Sequence, residues 1–251
     1  VTPPTLDSPG LAKHYKDGDL TLPALNYVDY SMIMQLDLNK IVFVHKQTNI
    51  AVEASFDGTS SLQIGDLTVA YSDNAYVFTA NGENVAISGI NGGSVVFAGT
   101  GKFNIASNVV ATSMTVKNGA RVDITGGISV DNLLVERGSI VNVTVTDTDA
   151  VVIKSATGVA RLYGTVNLTG PNDKTGISLY NGATIILDSQ SKVVIENFFV
   201  AVGDWQGEKG ILCVPANAEK QSDSYYVEGN CILDVIGCST AYYNINEQKN
   251  D

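Results

Sequence analysis

The chain has 251 residues, of which 24 are glycine, and a formal net charge of −11. Phosphate binding needs clustered Lys and Arg, so this charge argues against nucleic acid as a partner. The many Gly, Val, Ile, Thr and Asn residues, with only 16% charged residues, are typical of an all-β protein with short strands and tight turns. No apolar run approaches the ~20 residues of a membrane span, and the first residues lack the basic and apolar regions of a signal peptide.

Residues 1–58 carry no repeat. They contain both histidines, His14 and His45, and the apolar run Ile41 to Val44, which is typical of a buried strand. Neither histidine has a partner at a metal-binding spacing, so both are interpreted as surface or cap residues. This segment is predicted to be an N-terminal cap or attachment segment for the repeat that follows.

A short pattern of apolar, any, apolar and small residues recurs within residues 59–197. It occurs at Leu67-Thr68-Val69-Ala70, Val85-Ala86-Ile87-Ser88, Phe103-Asn104-Ile105-Ala106, Val122-Asp123-Ile124-Thr125, Val141-Asn142-Val143-Thr144, Val166-Asn167-Leu168-Thr169 and, more loosely, Ile185-Ile186-Leu187-Asp188. Successive copies begin 18, 18, 19, 19, 25 and 19 residues apart. Such a regular step indicates one repeated structural unit.

Turn signals and a second apolar cluster accompany the pattern. The dipeptide Asn118-Gly119 precedes one copy and Asn181-Gly182 another, and both residue types accept a positive φ at low cost. A second cluster follows roughly ten residues after each copy, for example Met114 with Val116. Each repeat is therefore predicted to form two strands, with alternate side chains facing inward and outward.

A two-strand unit of this length cannot bury its apolar face alone, whereas units stacked about 4.8 Å apart share one core. The predicted fold is therefore all-β: a single-stranded right-handed parallel β-helix, or β-solenoid, of about seven short rungs with N- and C-terminal caps. The right-handed form is favoured because the strict six-residue period of left-handed solenoids is absent. Propeller blades need about 40 residues each, so a propeller is disfavoured.

The single step of 25 residues predicts an insertion between Lys154 and Gly164, where Ala156-Thr157-Gly158 has the composition of a loop. Insertions in solenoids gather on one edge and often form the binding surface. A tolerated surface bulge is the plainer alternative, and the sequence leaves both open.

Residues 198–251 are rich in aromatic residues and are predicted to form a C-terminal β cap or a small appended β domain. Aromatic side chains are common recognition elements of carbohydrate-binding β proteins because their faces stack on sugar rings. The candidate ligand-binding residues are therefore Trp205, Tyr225 and Tyr226. Packing within the cap is the alternative for each of them.

All three cysteines, Cys213, Cys231 and Cys238, lie in this last segment, and an odd number leaves at least one thiol unpaired within the chain. Cys231 and Cys238 could pair if the chain is secreted. Neither a CxxC motif nor a Cys/His spacing suggests zinc. The segment Asp147-Thr148-Asp149 offers oxygen ligands but lacks the glycine-rich calcium repeat, so a solvated turn is the favoured interpretation. No metal or cofactor is predicted.

Acid–base catalysis needs carboxylates that converge on one cleft. The candidates on or beside the repeat are Asp123, Asp147, Asp149, Asp188 and Glu196. Asp123 lies inside a copy of the pattern and Asp188 at the end of one, so the two are not expected to share a row. No catalytic residue is predicted.

The repeat covers a little over half of the chain, and it resembles the right-handed parallel β-helices of phage tail spikes and fibres, bacterial surface adhesins and pectate-lyase-like enzymes. The repeat carries this resemblance without a residue motif of any one family, so no functional residue transfers to this chain. What the resemblance implies about function is analogy at the level of the fold.

That resemblance implies a non-enzymatic structural and receptor-binding module of a phage tail fibre or spike. We expect a virion protein, a homotrimer, that presents or binds surface glycans or polysaccharide. The alternative is a secreted or cell-surface bacterial adhesin. A polysaccharide lyase or hydrolase is a further alternative, for which a basic cleft around Lys117, Arg121 and Arg137 could hold an anionic substrate, since Lys117 and Arg137 fall at nearly equivalent repeat positions.

Overall fold

The fold is known from a computed structural model, which describes residues 20–21, 30–36, 40–45, 49, 51–55, 61–64, 66–80, 84–180, 183–204, 211–213, 219–220, 226–228 and 231–242. Nearly all regular structure in these residues is β-strand. None of them belongs to a helix long and apolar enough to cross a membrane.

The described strands, in chain order, are β1 (Leu20–Thr21), β2 (Tyr30–Gln35), β3 (Lys40–His45), β4 (Ala51–Ser55), β5 (Leu62–Ile64), β6 (Leu67–Ser72), β7 (Ala75–Ala80), β8 (Val85–Ile87), β9 (Gly89–Asn91), β10 (Ser94–Ala98), β11 (Lys102–Ile105), β12 (Val109–Val110), β13 (Ser113–Val116), β14 (Arg121–Thr125), β15 (Ile128–Val130), β16 (Asn132–Val135), β17 (Ile140–Thr144), β18 (Val151–Ile153), β19 (Val159–Leu162), β20 (Thr165–Thr169), β21 (Thr175–Leu179), β22 (Thr184–Ile186), β23 (Lys192–Glu196), β24 (Val200–Asp204), β25 (Ile211–Cys213), β26 (Glu219–Lys220), β27 (Tyr226–Glu228), β28 (Cys231–Ile236) and β29 (Thr240–Tyr242).

The strands form three sheets that wrap around one core. Sheet A has the order β1-β5-β6-β7-β10-β13-β16-β19-β22-β25. Sheet B has the order β29-β24-β21-β18-β15-β12-β9-β2-β3-β4, and sheet C the order β26-β27-β28-β23-β20-β17-β14-β11-β8. From β7 onward the chain passes through sheets A, C and B in turn, so each coil contributes one strand to every sheet. The predicted parallel β-solenoid is confirmed.

Two details of the prediction differ from the structure. Each coil has three strands rather than two. The sequence pattern did not distinguish the third strand, because the strands that the coils contribute to sheet B are only two to five residues long. Five coils, β10–β12 through β22–β24, have a parallel strand on both sides of each of their strands, compared with about seven predicted rungs. Of the strands that flank these five coils, β7, β9 and β28 also pair with β6, β2 and β27, respectively.

The repeated pattern forms one continuous inner row on sheet C. Strand register aligns Val85, Phe103, Val122, Val141, Val166 and Val193 in consecutive coils. All six side chains are at most 1% exposed. The prediction was right for the first five of them and wrong at its two ends. Leu67 begins the antiparallel strand β6, and Ile185 lies on sheet A.

Aromatic rings fill the N-terminal part of the core. Phe78, Phe97 and Phe103 are fully buried, and the centroid of the Phe97 ring lies 5.5 Å from that of Phe78 and 5.0 Å from that of Phe103. These distances suit stacked and edge-on aromatic pairs. Aliphatic residues replace the aromatic rings in the following coils.

Antiparallel strands extend the sheets at both ends. β6 and β7 form a hairpin whose turn, Asp73-Asn74, has φ values of 52° and 60°. β2 pairs in parallel with β9 and carries β3 and β4 in antiparallel order, while β27 pairs antiparallel with β28 at the other end. Such strands cover the edges of the coils, which would otherwise be templates for pairing with other chains.

The corners between the sheets carry the variation in coil length. The predicted turn at Asn118-Gly119 is present, with φ values of 58° and 79°, whereas Asn181-Gly182 lies outside the described residues. The extra residues of the longest step are divided between two corners, residues 145–150 and 154–158. The predicted insertion between Lys154 and Gly164 therefore accounts for only one of the two enlarged corners.

Candidate functional site

Polar side chains form a ladder on the outer face of sheet C. Strand register places Asn104, Asp123, Asn142 and Asn167 at one position of four consecutive coils. Asn142 Nδ2 donates to Asp123 Oδ1 at 2.7 Å, and Asn167 Nδ2 donates to Asn142 Oδ1 at 2.8 Å. Each such bond contributes about 0.5–1.5 kcal/mol. The ladder therefore stabilises the stacking of the coils and fixes their register.

Asp123 is the charged member of this ladder and forms ion pairs with two basic side chains. Lys102 Nζ lies 2.8 Å from Asp123 Oδ2, and Arg121 Nε donates to Oδ1 at 3.1 Å. Burial raises the pKa of Asp123, but the hydrogen bonds from Lys102, Asn142 and Arg121 outweigh burial, so the pKa lies below its ordinary value of 3.8. The carboxylate is thus held ionised by its own neighbours in the fold.

Replacing Asp123 by Asn should remove this charge and keep the shape of the ladder. A carboxyl group whose pKa is lowered by folding stabilises the folded protein above its unfolded pKa, and this stabilisation is lost as the pH falls through the lower folded value. We expect Asp123→Asn to lower the free energy of unfolding by about 1 kcal/mol at pH 7, allowing for solvent screening. Urea unfolding at a series of pH values should show the difference between wild type and variant decreasing as the pH falls below the ordinary pKa of 3.8 and vanishing below the lower folded pKa.

Asp173→Asn is the matched control for this measurement. The Asp173 carboxylate is 69% exposed and lies 3.8 Å from Lys174 Nζ. Exposed pairs of this kind contribute little, so its effect should stay within about 0.5 kcal/mol at every pH. An Asp123→Asn effect no larger than that of Asp173→Asn would refute the role given to the ion pairs of Asp123.

Two of the three basic residues considered for an anionic substrate, Arg121 and Arg137, form ion pairs with carboxylates. Arg121 binds Asp123, and Arg137 Nε donates to Asp188 Oδ2 at 2.8 Å, with Nη2 at 2.7 Å from the same oxygen. Lys117 is in register with Glu136 and not with Arg137, since the Lys117 and Glu136 amides bond equivalent carbonyls of successive coils. The two arginines therefore do not form a patch of unpaired positive charge.

The candidate carboxylates are distributed over different parts of the coil. Asp123 is on sheet C, whereas Asp188 begins the turn between β22 of sheet A and β23 of sheet C, where it accepts hydrogen bonds from Gln190 N and Ser191 Oγ. Asp149 lies between sheets C and B and accepts hydrogen bonds from Thr175 N at 2.8 Å and Ser178 Oγ at 2.7 Å. As expected, Asp123 and Asp188 do not share a row.

The described residues contain no group of three or more His, Cys, Asp and Glu residues that could hold a metal ion. Cys238 is a free thiol in this structure, and its Sγ lies 3.6 Å from the carbonyl oxygen of Ile195. Burial raises the pKa of the Cys238 thiol. His45 is the last residue of β3, while His14 lies outside the described residues.

The aromatic residues predicted to bind a ligand are not placed by the structure. Trp205 and Tyr225 lie outside the described residues, and Tyr226 begins β27 with a side chain that is also outside them. Two described aromatic residues have side chains that are strongly exposed, Tyr71 at 41% and Phe199 at 53%. Tyr71 packs edge-on against Tyr76, with the ring centroids 5.0 Å apart.

Phe199 lies at a corner between sheets C and B that comprises residues 197–199. The first coils also turn this corner in one to three residues, whereas the two coils before Phe199 use six and five, residues 145–150 and 170–174. We name residues 170–174, 197–199 and 237–239, which belong to three consecutive coils, the Phe199 corner. Phe199 N donates to the carbonyl oxygen of Lys174 at 2.9 Å, and Ser239 N donates to that of Phe198 at 3.3 Å. Phe199 therefore lies between the neighbouring coils of this corner.

Adjacent phenylalanines at this corner face in opposite directions. Phe198 is fully buried, and a Cβ atom at Gly170 would collide with its ring. Glycine at position 170 therefore leaves the space that the Phe198 ring occupies. Phe199 consequently faces outward from a corner that is anchored in the core. The sequence did not predict Phe199 as a site residue, because Phe198 and Phe199 lie in the corner before β24, where the alternation of a strand does not indicate which ring faces outward.

Comparisons of the chain with protein-family models, with curated proteins and with solved structures gave no match. The assignment of a parallel β-solenoid rests on the strand register and the shared core described above.

Proposed function

We propose that the chain is a non-enzymatic structural and receptor-binding module of a phage tail fibre or spike, and that it presents or binds surface glycans. The observation that carries the proposal is the enlargement of two consecutive corners on one edge of the solenoid, residues 145–150 and 170–174, with the exposed Phe199 at the next corner along that edge. Solenoids commonly bind ligands through corner insertions that a rigid stack of coils holds in place. The hydrogen bonds and ion pairs of Asp123, Asp149 and Asp188 support a structural role for these carboxylates.

The outer face of sheet A supports assembly into an oligomer. One outward column of this sheet contains the partly exposed aliphatic residues Val77, Val96, Leu134 and Ile186, interrupted by Thr115 and Arg161. Aliphatic side chains aligned on an outer face are typical of a surface that is covered by another subunit. A homotrimer is the arrangement that we propose.

Sedimentation equilibrium and a glycan array test the two parts of this proposal. We expect a mass three times the 26.5 kDa of the chain and retention on at least one surface polysaccharide. Leu134→Lys, on the aliphatic column, should lower the sedimenting mass, while Ser113→Lys in the neighbouring column is the control. A monomer that is retained on no glycan would contradict both parts.

A further inference from the structure

The Phe199 corner combines one exposed aromatic ring with short polar side chains. Asn172 and Asp173 are exposed on the neighbouring coil on one side, and Ser239 is exposed on the other. Asn197, two residues before Phe199, is exposed as well and has a φ of 67°. The site therefore offers an apolar face with hydrogen-bonding amides, a carboxylate and a hydroxyl around it.

The size of the aromatic surface decides between a protein and a small ligand. A stable protein interface buries about 1,200–2,000 Å² and has an apolar centre formed by several residues. Among the described residues the exposed large hydrophobic side chains are Tyr71, Phe199 and Ile236. Ile236 directly precedes residues 237–239 of the Phe199 corner, so the strongly exposed apolar surface here is one aromatic ring and one aliphatic side chain, less than the centre of a protein interface. A single ring surrounded by polar groups matches a ligand with one small apolar face and many hydroxyls, which is the chemistry of a sugar ring.

The charge around the corner decides which sugars fit. The adjacent carboxylates are Asp147 and Asp173, with Glu196 at the end of β23, and among the described residues of the corner the cation is Lys174, which lies 3.8 Å from Asp173. This local excess of negative charge repels uronates and sialylated or sulfated sugars. Carboxylates accept hydrogen bonds from neutral hydroxyl groups, and amides both accept hydrogen bonds from them and donate to them, without that penalty.

We propose that the Phe199 corner is a binding subsite for a neutral saccharide. The ring of Phe199 stacks on the apolar face of one sugar residue, and Asn172 and Asp173 bind its hydroxyl groups. Because the corner belongs to three stacked coils, the site is held rigidly by Phe198 and the strands on either side. This inference rests on the glycan binding proposed above and assigns it to a site and a class of sugar.

Native affinity electrophoresis tests the subsite with the whole chain. The acidic protein migrates toward the anode, and gels cast with galactomannan, xylan or a β-glucan retard it if it binds neutral sugars, while alginate serves as the anionic polymer. We expect retardation in at least one neutral gel. Phe199→Ala should weaken the binding about tenfold or more, as expected for the central aromatic contact of a site. Phe199→Trp should preserve retardation, and Tyr71→Ala, which removes the exposed ring of another region, should leave it unchanged.

Each other outcome contradicts a defined part of the inference. Equal retardation of wild type and Phe199→Ala would reject the Phe199 corner as the binding site and leave the proposed glycan binding intact. Retardation in alginate alone would reject the proposal that the bound saccharide is neutral. Free migration of wild type in every gel would reject the subsite together with the glycan binding of the proposed function. Wild type and Phe199→Ala should unfold at the same midpoint, because the ring is 53% exposed. Equal midpoints show that any loss of retardation comes from lost binding and not from unfolding of the variant.

Discussion

Replacing Phe97 by Ala should lower the free energy of unfolding by about 3–5 kcal/mol. The Phe97 ring is fully buried and contacts both Phe78 and Phe103, so the substitution leaves a cavity and removes two aromatic pairs. The coils share one core and each contacts only its neighbours, so a cavity in one coil weakens the stacking on both sides of it. Urea unfolding followed by far-ultraviolet circular dichroism measures the loss.

Ser94→Ala is the control for Phe97→Ala. Ser94 begins β10, faces outward, is only partly buried and lies outside the aliphatic column of sheet A. Its replacement should change the free energy of unfolding by about 1 kcal/mol or less. Similar losses at positions 94 and 97 would contradict the alternation of inward and outward side chains along this strand.

Gly164→Ala should be the most damaging glycine substitution at the corner between sheets A and C. A Cβ atom at position 164 would lie 2.5 Å from the carbonyl oxygens of both Glu136 and Ser139 in the preceding coil. Neither backbone atom can move without separating the coils. We expect a loss of roughly 2–4 kcal/mol, because relief of the collision requires strain in the backbone. Thermal and urea unfolding of the variant measure this loss.

Gly138 provides the comparison, since it lies at the same corner one coil earlier. A Cβ atom at Gly138 meets nothing within 4 Å, but the residue has a φ of 80°. Gly138→Ala should therefore cost only the roughly 1–2 kcal/mol of the left-handed conformation. A loss at position 138 equal to or greater than that at position 164 would contradict the close approach of the coils at Gly164.

The stacking of the coils could be predicted because the sequence repeats the physical requirement of each coil. Val122, Val141 and Val166 each need an apolar neighbour in the next coil at the same position, so the pattern recurs at the length of one coil. The corner glycines recur at the same interval because each coil needs a turn at its corners. A local pattern does not specify which strand pairs with which, however. Leu67 satisfies the same pattern in an antiparallel hairpin, and Ile185 satisfies it in a different sheet.

The chemistry of the faces was much harder to predict than the core. The ion pair between Arg137 and Asp188 joins residues 51 positions apart, and Gly164 of the intervening coil leaves the two backbone segments close together. The neighbours of a charged side chain depend on the exact register of the coils. The sequence spacing placed Lys117 next to Arg137, whereas the structure aligns it with Glu136, one residue earlier. The outward direction of Phe199 depends in turn on the space at Gly170 that the Phe198 ring occupies. These contacts join residues of different coils, so the spacing within one coil does not predict them.

The parallel register of sheet C is the central claim, and disulfide formation between introduced cysteines tests it most directly. Thr144 and Thr169 are paired in register on the outer face of neighbouring strands. Neighbouring strands lie about 4.8 Å apart, which is within the range of Cα separations that a disulfide spans. In Thr144→Cys/Thr169→Cys, mild oxidation should produce a 144–169 cross-link that peptide mass spectrometry identifies. In Thr144→Cys/Thr165→Cys, where the second site is displaced by about 13 Å along the strand, no cross-link should form. A folded protein that forms no 144–169 cross-link, or that cross-links both pairs equally, would contradict the stacked parallel coils.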